Sequence, residues 1–557
     1  MNQSRPPKNK PEQMREQEQL QALLQKGFLA LSQNNIKQAS ECCRKALAIK
    51  PDLVQAHFLV GLIALEARDR KTAFSAFGSV TSLQPKHVAA WAQLAKLFMS
   101  EGQVNRADAA LEKATTQPSP DPLVHDLVGS VYSMMGEHDA ALEWHQRAVE
   151  KNPGHVPYMV NLANSLIYHG KTEEAEQQLR AVLTQQAANP QAHWMLSSTA
   201  KAASDAHIEE IRSLLSARPK HHAVNHRGDA FMHYALGKEL EDLERWDEAF
   251  EAFEAGALAR RQTVEFDEQN ERDTFDRLKA IYTADWLQNR ESGNNTAEPI
   301  FILGQPRTGT TLVERVITSH SQVKSAGELQ QFGLALRRLS KYRDPRRFSP
   351  ELFLHAGELS PKEVGSMYMA TTAKMRGGAR HFVDKLPSNY LYIPLILAAL
   401  PNAKIIHLTR DPMDACFASY KQLFADAYLH SYDQQEMARH HARYLRLMGT
   451  WQERFPNKLF NVSYEDFAGN IEPNARQLIN YLGLDWENDC LNFHQQSTAV
   501  STASAVQVRE PAHTRSIGRW KRYESQLQPM LDALKAEGVS LTPGRSKPKV
   551  GGYPTSD

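Results

Sequence analysis

Residues 299–312 read PIFILGQPRTGTTL, and their spacing points to oxyanion chemistry. The apolar run 300–303 reads as a buried strand. It breaks into a loop bounded by Gly304 and Gly309, and Thr310 and Thr311 then start a helix. Such a loop turns backbone N–H groups toward an anion at the N-terminus of the next helix. The glycine spacing is that of G-x-x-x-x-G-K-[ST], in which the lysine reaches the β- and γ-phosphates and the following hydroxyl binds Mg²⁺. Here Thr310 stands where that lysine would be, and the positive charge is Arg307, inside the loop. One in-loop cation, hydroxyl donors and no such lysine suit a less charged terminal group than a triphosphate. Taken alone, the loop is also open to reading as an ordinary strand-to-helix turn.

Further groups follow in order: SAGEL at 325–329, DKLPSNY at 384–390, HLTRDPMDACFASY at 407–420, SYEDF at 463–467 and QVREPAHTRSIGRWKRYE at 507–524. With the loop, these segments resemble the sulfotransferases. The similarity covers roughly 298–540 and is nearest to the bacterial relatives of tyrosylprotein sulfotransferases that carry tetratricopeptide repeats.

The resemblance implies a donor, 3′-phosphoadenosine 5′-phosphosulfate, and no metal. Its 5′-phosphosulfate would lie on the loop, held by Arg307, Thr308, Gly309, Thr310 and Thr311; the competing reading of the threonines is a helix cap. Glu328 aligns with the catalytic base. An ionised carboxylate in reach of an acceptor hydroxyl can take its proton as the new sulfur–oxygen bond forms. The alternative for Glu328 is a cap on the helix that follows. Lys385 matches the lysine that neutralises the bridging oxygen as the nucleotide leaves, against a solvated lysine at a strand end. Arg410 opens the segment resembling the 3′-phosphate site, where a guanidinium fork suits a terminal phosphate. One departure stands out: the family's serine eight residues later is Ala418 here, with Ser419 one position on. Ser504, Arg515 and Arg519 fall in the segment resembling the loop that closes over the nucleotide, with Ser504 and Arg519 as expected binders.

The rest of the chain must position these groups. At 557 residues it exceeds one ordinary core. With 65 Lys+Arg against 64 Asp+Glu, no global charge recruits nucleic acid or a membrane surface. Four cysteines, two of them adjacent at 42 and 43, do not make a disulfide framework and fit a reducing compartment. Neither a signal peptide nor a spanning segment is visible, so cytoplasmic residence is the expectation. Residues 1–19 and 541–557 read as disordered.

Small residues recur every 34 positions at Gly27, Gly61, Ala95, Gly129 and Ala163, and again at Ala39, Ala73, Ala107, Ala141 and Ala175. This is the tetratricopeptide interval, with Gly or Ala where paired helices cross. A third column, Asn34, Arg68, Gly102, Gly136 and Gly170, falls between the helices, where a left-handed turn is expected. A late repeat is signalled by Gly237, Ala249 and Gly256. The predicted repeat domain spans 20–260, a helical linker 261–297 and the sulfotransferase domain 298–540. In the last, strand-like runs IFIL, HFVD, AKIIHL and KLFNV alternate with helical stretches, which predicts a doubly wound parallel sheet with the loop, Lys385 and Arg410 at its carboxyl edge.

The resulting expectation is a sulfotransferase whose repeats recruit a protein or peptide acceptor, with no nucleic-acid or membrane partner and with a homodimer left open. The acceptor could equally be a glycan or a small phenol. A non-catalytic repeat scaffold with a degenerate P-loop domain is the alternative. Arginines at 337–347 read either as a solvated face or as a reader of acidic acceptors. Histidines 221, 222, 226, 440 and 441 have no carboxylate or cysteine partner at metal-ligand spacing and read as structural or exposed.

Overall fold

A computed structural model describes residues 10–541 apart from 117, 218–224, 345, 425 and 503–504. The chain divides into two compact units, Met1–Tyr158 and Met159–Asp557.

The first unit is built of antiparallel helix pairs. Lys10–Ser32 is helical, so order starts within the segment expected to be disordered; its Gln, Glu, Lys and Leu content favours helix despite its polarity. Helices Ile36–Ile49, Val54–Glu66, Arg70–Leu83, Val88–Ser100, Val104–Thr115, Pro122–Met135 and His138–Lys151 follow. A Cβ on Gly61 would lie 2.5 Å from the Phe77 ring, so the crossing of its two helices admits no side chain there. The turn column is left-handed throughout, with φ of 57° at Asn34, 58° at Arg68, 67° at Gly102, 82° at Gly136 and 73° at Gly170. Glu244, seven residues after Gly237, adopts the same conformation at 61° and extends the register into the late repeat.

The second unit contains the remaining repeat-type helices and the α/β fold. Among the described residues the sheet has five parallel strands: β1 (Pro299–Gly304), β2 (Val323–Ser325), β3 (His381–Lys385), β4 (Lys404–Thr409) and β5 (Phe460–Ser463), in the order β2-β3-β1-β4-β5. Four of these were legible as apolar runs. The three-residue edge strand β2 was not, since Val-Lys-Ser carries no hydrophobic pattern. Side chains alternate across the sheet, Phe301, Leu303, Phe382 and Ile405 entering one core and Ile300, Ile302, Val383, Ile406 and Leu408 the other. The helix expected in the linker is split in two, Glu268–Ile281 and Ala284–Gln288, because the Thr283 side chain caps the second by accepting from the Trp286 N–H.

The late repeat pair, His226–Asp242 and Trp246–Arg261, does not stand apart. Its Tyr234, Leu236, Phe250 and Phe253 share a core with Met413, Phe417 and Tyr420, on the helix after β4, and with Tyr523, Met530 and Leu534. Tyr234 donates its phenol to the Tyr420 carbonyl at 3.0 Å. Burial of that many aromatic side chains makes the pair part of the α/β body energetically.

Candidate active site

The loop after β1 has backbone geometry that only certain residues tolerate. Gly309 is left-handed at φ 93°, and a Cβ there would sit 2.5 Å from the Tyr464 ring. Arg307 is also left-handed, at 65°, a conformation rare for a residue with a side chain. Helix Thr310–Thr318 starts at Gly309, which has no side-chain cap bond. The threonine pair is therefore not the cap, and the N–H groups of the first turn have no side-chain acceptor from that position. Thr308, Thr310 and Thr311 are buried; Thr308 donates to the Gln305 carbonyl at 2.7 Å. Burial, then the nearby Arg410, brings the Arg307 guanidinium down to about 10, still cationic at neutral pH, and it donates to Gln507 Oε1 at 3.0 Å.

Glu328 and Lys385 meet beside this loop. The Ala326 N–H donates to Val383 O at 2.9 Å and the Lys385 N–H to Gly327 O at 3.0 Å, so the SAGEL turn is strapped to the end of β3. The side chains then pair, Lys385 Nζ donating to Glu328 Oε1. Lys385 is 1% exposed, which removes the solvated reading. Gln330, not Glu328, stands at the N-cap of helix Gln331–Ser340, which removes the capping reading. A second carboxylate, Glu314 Oε2, lies 4.0 Å from Lys385 Nζ, and its other oxygen accepts from Ser325 Oγ at 2.6 Å. Burial works to lower Lys385, but Glu328 and Glu314 outweigh it and its pKa ends above the ordinary lysine value. Burial raises Glu314 despite Lys385. Sequence reasoning missed Glu314; its one signal is the i, i+4 spacing from Thr310, which places both on one helix face.

Beneath Lys385, Asp384 is fully buried and accepts from Tyr368 Oη at 2.9 Å and Asn389 Nδ2 at 3.1 Å. Desolvation lifts it to about 7 in spite of these donors. The Glu328 charge also adds to burial in raising two phenols, Tyr168 at the end of helix Val156–Tyr168 and Tyr428.

At the end of β4, Arg410 donates to the Arg307 carbonyl at 2.7 Å and to the Ser516 carbonyl at 2.5 Å, with its guanidinium 4.7 Å above the Tyr464 ring. It thereby ties the loop to the late segment. Ser419, on helix Pro412–Tyr420, is fully buried and lies 3.0 Å from the Ala415 carbonyl and 3.4 Å from that of Pro306. Its one hydroxyl proton faces carbonyls, while Ala418 is only half-buried. The one-residue displacement thus turns the hydroxyl to the loop backbone. Asp414 on the same helix accepts from the N–H groups of Gly518 at 2.5 Å and Trp520 at 3.1 Å. Arg519, between them, is 3.1 Å from Glu241 of the late repeat. Ser504 lies outside the described residues.

His440 does have a carboxylate partner: Nδ1 is 2.7 Å from Glu271 Oε1, brought from 169 positions away, and Nε2 is 3.1 Å from Gln305 Nε2 in the loop. His430 stacks on it at 3.5 Å with an interplanar angle of 12°. A metal bound by both rings would have to lie in two near-parallel planes 3.5 Å apart, so this group is a hydrogen-bonded brace for the loop. Histidines 221 and 222 lie outside the described residues.

Residues 299–488 match the family model described as Sulfotransferase family, and 20–53, 64–131 and 134–198 match tetratricopeptide-repeat models. The chain carries a sulfotransferase domain behind tetratricopeptide repeats. It is 29% identical over 400 residues to an uncharacterized protein of Aquifex aeolicus, a match covering 70% of this chain and 52% of that one, so the chain spans about half of that relative. It is 24% identical over 236 residues to a putative protein-tyrosine sulfotransferase of Caenorhabditis briggsae, covering 41% and 82%. The sulfotransferase domain from the Synechococcus PCC 7002 olefin synthase is 18% identical over 45% of this chain and 98% of its own, at a TM-score of 0.31. The sulfotransferase domain thus contains the loop, Glu328, Lys385 and Arg410, and no helix among the described residues is long and apolar enough to cross a membrane.

Proposed function

We propose that this protein transfers a sulfuryl group from 3′-phosphoadenosine 5′-phosphosulfate to a hydroxyl of a protein or peptide acceptor. The observation that carries the reading is the pairing of buried Lys385 with solvent-exposed Glu328 beside the loop of Arg307 and the threonines. In transfer the acceptor oxygen forms a bond to sulfur, the bridging sulfur–oxygen bond to the 5′-phosphate breaks, and the acceptor proton passes to Glu328. Lys385 donates to the departing bridging oxygen, where negative charge develops, so its contact is strongest in the transition state. The loop N–H groups, Arg307 and the hydroxyls of Thr310 and Thr311 hold the phosphosulfate; Arg410 faces the second phosphate. The repeats support protein interaction, since stacked helix pairs generally present peptide-binding surfaces. Calorimetry with 3′-phosphoadenosine 5′-phosphate beside ATP with Mg²⁺ tests the donor. Binding of the bisphosphate alone supports the reading, binding of ATP alone replaces it with a kinase, and binding of neither leaves a repeat scaffold.

A further inference from the structure

Glu241 is the penultimate residue of helix His226–Asp242, far in sequence from every donor-binding candidate, yet three side chains of the α/β body converge on it. Lys421 Nζ lies 2.8 Å and 2.7 Å from its two oxygens. Arg519 reaches both as well, Nε at 3.2 Å from Oε1 and a terminal nitrogen at 3.1 Å from Oε2. Tyr523 donates to Oε1 at 3.0 Å. The carboxylate is 6% exposed, so these contacts are made away from water. Two cations against one carboxylate leave a net positive charge, and both cations sit on segments already bound to the loop. Lys421 follows Ser419, whose hydroxyl approaches the Pro306 carbonyl, and Arg519 lies between the two N–H groups held by Asp414 and near Ser516, held by Arg410.

We propose that Glu241 is a positioning residue of the donor site, the late repeat helix holding Lys421 and Arg519 in place and charged for the second phosphate of the donor nucleotide. This rests on the donor assignment above. The alternative, that the carboxylate occupies the phosphate's own place and competes with it, is disfavoured by its burial on a helix locked into a shared aromatic core. The sign of the effect follows from what faces Lys421. Burial lowers its ammonium to about 8; Arg519 from the late segment and Arg307 from the loop push the same way, and Glu241 alone among these pushes up. Without Glu241 the amine loses its proton near neutral pH, and a buried cation is lost from the site.

The test is calorimetry on the full chain with Glu241→Gln, using 3′-phosphoadenosine 5′-phosphate and, as control, adenosine 5′-phosphate, which lacks the second phosphate. At pH 8 the variant should bind the bisphosphate about tenfold or more weaker than wild type, with the monophosphate changed by less than about twofold, as loss of one charge-assisted contact predicts. Measured against wild type at the same pH, the deficit should shrink at pH 6 as Lys421 is reprotonated; a merely structural role would not produce that recovery. Equal losses for both nucleotides, or a deficit independent of pH, would overturn the proposal, as would tighter bisphosphate binding, which is the signature of a competing carboxylate. If Glu241→Gln does not fold, Lys421→Met reads the same cation: a loss confined to the bisphosphate supports the proposal and its absence overturns it. Wild-type protein that binds no bisphosphate would instead refute the donor assignment itself.

Discussion

The Lys385 ammonium and the Glu328 carboxylate, 57 residues apart in the chain, are hydrogen-bonded to each other at the carboxyl edge of the sheet. In the proposed reaction the two separate: Glu328 turns to the acceptor proton and Lys385 to the leaving oxygen. Glu314 Oε2, 4.0 Å from Lys385 Nζ, remains beside the lysine while that happens.

Glu328→Gln should therefore leave nucleotide binding nearly intact and lower transfer by roughly 10²–10⁴-fold, because the amide keeps the shape but cannot take the proton. Both quantities are to be measured on one preparation. Wild-type transfer by the variant with any accepted substrate would move the base elsewhere.

Arg307→Ala removes the loop's own side-chain cation. Its expected cost is about 1.5–3 kcal/mol in affinity for 3′-phosphoadenosine 5′-phosphate, the scale of a hydrogen bond to a charged group. The left-handed backbone at 307 also predicts that Arg307→Gly is tolerated structurally as well as alanine or better, so the two variants together separate charge from backbone strain. Equal nucleotide affinity for wild type and both variants would remove Arg307 from the site.

What the sequence showed and what it hid divide along a physical line. The loop of Gly304, Arg307, Gly309 and the threonines was singled out by local spacing, and Glu328 and Lys385 by the resemblance of the short motifs that hold them; the structure pairs those last two side chains. The left-handed column from Asn34 to Gly170 was legible for the same reason: one repeat's geometry recurs at a fixed interval. Glu241, Glu271 and Glu314 were not, because each acquires its role by meeting a cation or histidine from another element, up to 278 residues away for Glu241 and Arg519. The fusion of the late repeat pair with the α/β body was hidden likewise, since aromatic residues such as Tyr234 and Phe250 read as repeat core until their partners are known.

That fusion fixes where the repeats can be cut. Deleting 1–158 removes the first compact unit and keeps Glu241 and its core; deleting 1–260 strips that core and exposes Tyr420 and Tyr523. The shorter deletion should retain a cooperative melt and nucleotide binding, and the longer one should lose both. If the repeats deliver a polypeptide, the shorter deletion should raise KM for a protein acceptor much more than for a small phenol, because tethering raises effective concentration without altering the chemistry. Equal KM changes would assign the first unit to folding or assembly.

Asp384 predicts a pH dependence of stability. Its pKa is raised from an ordinary 3.8 to about 7 in the folded protein, so the native state prefers the protonated form. The contribution is fully present below the unfolded pKa, declines as pH rises above it and is lost as pH passes through 7. A shift of this size corresponds to at most a few kcal/mol. Thermal melts from pH 5 to 8 should show wild type losing stability with rising pH and Asp384→Asn losing less, since the amide cannot ionise. Parallel pH profiles for the two proteins would assign the titration to another group.

The arginines at 337–347 resolve into separate fates, which sharpens the acceptor question. Arg337 donates to the carbonyls of Asp344, Arg346 and Arg347, and Arg346 pairs with Asp344 at 2.7 Å, so both are engaged in folding their own loop. Arg347 instead reaches Gln330 Oε1 at 2.7 Å and Ser388 Oγ at 3.4 Å, neighbours in sequence of Glu328 and Lys385, while remaining exposed. No carboxylate neutralises it among the described residues, so it offers a positive charge at the edge of the proposed acceptor site. If an acidic peptide is the acceptor, Arg347→Ala should raise its KM several-fold with kcat little changed and leave a neutral phenol unaffected. Added salt should weaken wild-type transfer to the peptide and affect the variant less, because exposed charge pairs are screened beyond about 8–10 Å at physiological ionic strength. A salt response identical in wild type and Arg347→Ala would place this arginine among the solvated charges.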